Sequence, residues 1–85
     1  MEYVIVSFRS REHSVKFSKF LSAHGILNSI VNTPKEAGIG CGLSVKVPSP
    51  ALYTVKKALA VLKYGSFAGV FKVNDRAGKR VVKPL

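Results

Sequence analysis

Cys41 is the only cysteine in the chain, and its neighbours set the chemistry open to it. It ends the run Thr33-Pro34-Lys35-Glu36-Ala37-Gly38-Ile39-Gly40 and precedes Gly42, so a glycine stands on each side of the thiol. Flanking glycines remove side-chain cover and admit backbone conformations closed to other residues. Successive N–H groups in such a loop can turn toward one point and form a weak anion site, which favours thiolate over thiol. Nearby Lys or Arg pushes the same way. A thiolate of this kind attacks disulfide and persulfide sulfur. No CxxC partner is present, so a dithiol redox centre within one chain is excluded. One Cys and two His lack ligand spacing, so no metal is expected, and no cofactor motif stands out. Set against this, free cysteine is among the most buried residue types and often serves as a small hydrophobe.

Two groups stand next in line. His13 offers a proton relay for a thiol, and His24 a weaker one, because a histidine at a helix C-terminus is usually explained by the carbonyls there. Glu36 lies in the same loop as Cys41, but an exposed carboxylate accounts for it equally well. A triad would need Cys, His and acid to converge in space, which spacing alone does not establish.

Charge points outward to partners. The chain has 14 Lys+Arg against 4 Asp+Glu, a formal net charge of +10. Such an excess favours an anionic partner: nucleic acid, a phosphorylated metabolite or an acidic protein. The C-terminal half carries Lys56, Lys57, Lys63, Lys72, Arg76, Lys79, Arg80 and Lys83. Lys79, Arg80 and Lys83 are the expected anion or partner docking set. No aromatic RNP-type signature accompanies them, so any nucleic-acid binding is expected to be non-specific.

The scaffold must be small. With 85 residues, 47% of them hydrophobic, residues 1–85 read as a single domain with a modest core. The opening Met1-Glu2-Tyr3-Val4-Ile5-Val6 has neither the basic flank nor the long apolar stretch of a signal peptide. No apolar run approaches a membrane span. A reducing cytoplasm is the expected setting, since a lone cysteine forms no internal disulfide.

Residues 3–8 alternate and are rich in β-branched and aromatic types, which predicts a strand. Ser10 as N-cap and Gly25 as C′ residue bracket a helix whose apolar face holds His13, Phe17, Phe20, Leu21 and His24. Leu27 to Asn32 reads as a second strand, and Leu43, Val45 and Val47 as a half-buried third. Ser49 caps a second helix, with Pro50 at its first position and Gly65 at its close. Leu52, Val55, Leu59 and Leu62 form its buried stripe. Phe67, Phe71 and Val73 predict a fourth strand, and 75–85 a basic C-terminal tail or an edge strand. The order β-α-β-β-α-β is the α+β, ferredoxin-like split βαβ arrangement: an antiparallel sheet with two helices on one face. The cysteine loop would then join the second and third strands at one end of the sheet.

Thr33-Pro34-Lys35-Glu36 followed by Cys41-Gly42-Leu43-Ser44-Val45 resembles a small bacterial family described as Putative Se/S carrier protein-like. Ser10 and His13 occupy matching positions, and Tyr3-Val4-Ile5-Val6-Ser7-Phe8 is similar to the family's opening strand. The resemblance spans residues 2–64. Where family members carry small hydroxyl residues just before the cysteine, this chain has Gly38, Ile39 and Gly40, which leaves only backbone donors in that run. The resemblance implies a sulfur or selenium carrier that loads Cys41 as a persulfide or selenosulfide, with Thr33, Pro34, Glu36, Gly40 and Gly42 as the supporting loop. Its partners would be sulfur or selenium donor and acceptor proteins, and a homodimer stays open. It would be a carrier rather than a self-sufficient enzyme. The alternatives are a basic nucleic-acid-binding or protein-interaction module in which Cys41 is incidental, and a purely structural domain.

Overall fold

The computed structural model describes residues 2–39 and 42–85. Strand β1 (Glu2–Phe8) leads into helix α1 (Arg11–Ala23), then β2 (Ser29–Asn32), β3 (Leu43–Pro48), α2 (Leu52–Val61), β4 (Phe67–Arg76) and β5 (Lys79–Pro84). One-turn 3₁₀ segments at Lys35–Ala37 and Ser49–Ala51 precede β3 and α2. The fold is α+β. All five strands join one sheet in the order β2-β3-β1-β4-β5, and every neighbouring pair is antiparallel. β1 and β2 thus run in the same direction on either side of β3, and β3 and β4 on either side of β1. No helix among the described residues is long and apolar enough to cross a membrane.

The period of two in β1 sorts its side chains cleanly. Val4, Val6 and Phe8 face the helices, where they pack with Phe17 and Leu21 of α1, Val55 of α2, and Val45 and Val47 of β3. Ile5 faces the other way, with Phe71 and Val73 of β4. Both faces of the central strand are therefore buried, which explains why it reads as a nearly continuous apolar run. Both helices share the first face.

Helix α1 has the ends its sequence predicts. The Ser10 Oγ accepts the His13 N–H at 3.3 Å. At the other end Gly25 takes φ 73°, and the N–H groups of Ile26 and Gly25 donate to Leu21 and Ser22 carbonyls at 2.9 and 3.1 Å, the Schellman pattern. The expected apolar face needs one correction. His24 is exposed, and Ser14, not a histidine, fills the buried position beside Phe17 and Leu21.

Two boundaries also differ from expectation. β2 starts at Ser29 rather than Leu27, because the Asn28 side chain donates to the Ile26 carbonyl at 2.9 Å and to Ser22 Oγ at 3.0 Å, tying the turn to α1. Leu27 is left 79% exposed. Ser49 does not cap α2: its hydroxyl is buried and bonds no described group, while Pro48 takes the extended cap conformation one residue earlier. The chain leaves the helix at Leu62, with φ −93° and ψ 96°, before Gly65 is reached. That early exit lets Tyr64 insert edge-on against Phe8 and Phe17.

Candidate functional site

The two flanks of the cysteine loop are fixed by β2 and β3; Gly40 and Cys41 themselves lie outside the described residues. Asn32 pairs with Leu43, and the Thr33 N–H then donates to the Gly42 carbonyl at 3.0 Å, extending the ladder by one bond. Gly42 has little room for a side chain. A Cβ there would stand 3.2 Å from the Phe8 carbonyl oxygen and 3.8 Å from Thr33 Oγ1. Among the described loop residues, Pro34, Ala37 and Ile39 fold down onto the sheet. Pro34 is buried in an extended conformation, and the N–H groups of Ala37 and Gly38 donate to Pro34 and Lys35 carbonyls at 3.1 and 3.0 Å. Ala37 and Ile39 pack against Ile5, Phe71, Val73 and Val82, on the face opposite the helices. Glu36 is exposed on this turn.

A row of hydroxyls lies beneath the loop flank. Ser7 of β1 and Ser44 of β3 are directly opposite in register, and their oxygens lie 2.8 Å apart. Ser44 also meets Thr33 Oγ1 at 2.7 Å. Ser7 and Ser44 are both fully buried. Two bonds among three hydroxyls use two of their three hydrogens, so one hydrogen remains to be donated outside the row. The Thr33 end stands beside Gly42, next in sequence to Cys41. The run just before the cysteine lacks hydroxyls, but Thr33 and Ser44 flank the loop on its two sides, with Ser7 behind them on β1. Sequence reasoning missed Ser7 and Ser44 as site residues. Each interrupts an apolar strand with a small polar side chain, which is a visible signal, but only the register reveals that they touch.

The cost of breaking this row is measurable. Ser44→Ala should destabilise the fold by about 1–3 kcal/mol, because it strips Ser7 and Thr33 of their shared partner in a buried place. Urea unfolding checks it; a midpoint equal to wild type would mean the row contributes nothing to the fold.

The described side-chain contacts of His13 are with Ser66 and Tyr64. Its Nδ1 lies 2.5 Å from Ser66 Oγ and its ring lies on Tyr64, with centroids 4.9 Å apart and planes tilted by 31°. It stands on the helix side of the sheet, while the hydroxyl row and the 3₁₀ turn lie on the other. His24 donates from Nδ1 to the Phe20 carbonyl at 2.9 Å, the capping role expected of a helix-end histidine.

The basic set divides by strand alternation. Lys79 and Lys83 point to the same face as Lys72 and Arg76, where with Glu2 and Val81 they line an open groove of about 590 Å³. Arg80 lies on the opposite face, across from Asp75. Alternation thus separates Arg80 from its two lysine neighbours, and register adds Lys72 and Arg76 to them. Among the described residues no group of three His, Cys, Asp or Glu is placed to hold a metal.

No curated protein and no solved structure matches this chain. A family model does, over residues 2–64, covering both helices, the hydroxyl row and the whole cysteine loop. By that match the chain belongs to the family described as Putative Se/S carrier protein-like.

Proposed function

We propose that this chain carries sulfur or selenium on Cys41 between a donor protein and an acceptor. The observation that supports this most directly is that a member of a family so described has one thiol, set between the glycines of its β2–β3 loop. In the loading step the Cys41 thiolate attacks the outer sulfur of a donor persulfide. A new S–S bond forms on Cys41 as the donor's own S–S bond breaks, and the donor leaves as a thiolate, so no external oxidant is needed. Delivery to an acceptor thiolate is the same exchange in reverse. Selenium follows the same course through a selenosulfide. The absence of side chains at Gly40 and Gly42 gives a donor steric access, and the firmly held flanks at Thr33 and Gly42 limit the entropy lost on docking. A carrier of this kind needs no general base and no cofactor, and a reducing cytoplasm keeps its thiol free. We read the interleaved β1-α1-β2 and β3-α2-β4 units as the ferredoxin-like split βαβ arrangement, with β5 added at the β4 edge.

Incubated with a cysteine desulfurase and cysteine, the wild-type protein should gain the mass of one sulfur atom, reversible by a thiol reductant. Intact-mass spectrometry reads it. A chain that stays unmodified with several donors, each active on a control acceptor, would sink the carrier reading. The cationic hairpin β4–β5 would then favour the second reading, a binding module in which Cys41 is incidental.

A further inference from the structure

Strand β5 ends the sheet, with β4 on one side and, among the described residues, no strand on the other. Ala77 and Gly78 connect β4 and β5 with φ 52° and 77°, the double positive φ of a type I′ hairpin turn. Such a turn makes Arg76 and Lys79 a hydrogen-bonded pair. Alternation then makes Asn74–Val81 and Lys72–Lys83 hydrogen-bonded, and Asp75–Arg80 and Val73–Val82 not. The bond from Leu85 N–H to the Val70 carbonyl, at 2.8 Å, keeps this phase. The backbone N–H and C=O of Arg80 and Val82 therefore point away from β4, to the outer edge, while the Lys35–Ala37 turn packs on the face of β5 that carries Val82. Pro84 falls in the same phase and has no N–H to offer. The edge is open at two residues and closed at the third, as prolines on edge strands commonly close them.

The side chains beside this edge select its occupant. Lys79, Val81 and Lys83 face the groove in turn, and Arg76–Lys79 and Lys72–Lys83 set like charges directly opposite each other. Like-charged cross-strand pairs are destabilising. Glu2 answers one cation, its Oε1 lying 3.4 Å from Lys72 Nζ. A second copy of the chain, laid β5 against β5 with Val81 opposite Val81, would bring lysine to lysine, which disfavours it. A nucleic acid meets the charge, but no aromatic side chain lines the groove to stack its bases, and it makes no use of a peptide edge. We propose that the outer edge of β5 binds an acidic, extended segment of a partner protein as an added strand, with acid, apolar and acid residues opposite Lys79, Val81 and Lys83. This goes beyond the carrier reading and does not depend on it, since no thiol takes part.

Fluorescence anisotropy on the full chain tests it, using a labelled peptide with the core Glu-Thr-Val-Thr-Glu. The comparison probes are a scrambled peptide of the same composition, the Lys-Thr-Val-Thr-Lys counterpart and a single-stranded RNA. The alternating acidic peptide should bind roughly tenfold more tightly than its scramble. N-methylation of its two threonines, which face Arg80 and Val82 across the ladder, should weaken it as much. Lys79→Glu/Lys83→Glu should lose the acidic peptide and gain the lysine one, a swap that an unfolded variant would not produce. Cys41→Ser should bind like wild type, whether or not the wild type takes up sulfur. Scramble or RNA binding as tightly as the alternating peptide, or indifference to N-methylation, would reduce the surface to bulk charge and overturn the proposal.

Discussion

Cys41→Ser should take up no sulfur or selenium from a donor that loads the wild type, while remaining folded. Oxygen in place of sulfur removes the nucleophile: a serine hydroxyl is not ionised near neutral pH and forms no stable bond to a sulfane sulfur. The loss should therefore be complete rather than partial. Stability should change by less than about 1 kcal/mol, because the loop's described hold on the sheet runs through Thr33, Ala37, Ile39 and Gly42. Intact mass and urea unfolding, measured on the same preparation, separate the two effects. Sulfur retained by the serine variant would place the modification on another residue. A variant that unfolds would make Cys41 a structural residue first.

The largest effect on the fold should come from Phe8→Ala. Phe8 is 1% exposed at the end of β1 and is the meeting point of four elements. Its ring lies 5.5 Å from that of Phe17 on α1, 5.5 Å from Tyr64 after α2, and 6.0 Å from Phe67 at the start of β4. Truncation removes these contacts and leaves a cavity that three rigid rings cannot close, so a cost of about 3–5 kcal/mol is expected. A domain this small has total stability near the lower end of roughly 5–15 kcal/mol. Thermal midpoint should then fall by at least about 12 °C. The Phe8 carbonyl also limits the space at Gly42, so the cysteine flank should loosen with the core. A fall of only a few degrees would mean that Tyr64 or Phe67 refills the space.

Local chemistry was readable wherever it acts over a few residues. Ser10 and Gly25 bracket α1 because a hydroxyl acceptor and a glycine at positive φ satisfy groups only a few residues away. The apolar run of residues 3–8 and the alternation of 43–47 are properties of each strand alone. Ser49 misled for the same local reason: its type suits an N-cap, but Pro48 already holds the extended conformation that a cap requires. Asn28 shortened β2 through bonds to a helix that ends before it, which a strand pattern does not contain.

The candidate site divides along the same line. The sequence by itself determined the element order as far as β4, the end caps of α1, the single thiol between glycines and the cationic excess, because each follows from residue type or short-range spacing. Tertiary structure decided the rest. Cross-strand register joined Ser7 to Ser44 and Ser44 to Thr33, and gave His13 to Ser66 and Tyr64 on the other side of the sheet. Register also brought Lys72 and Arg76 to Lys83 and Lys79, to which nothing in the local sequence ties them. The physical reason is that a strand fixes only which of two faces a side chain takes. Which partner it meets there is set by a neighbouring strand tens of residues away, and nothing in the local pattern encodes that offset.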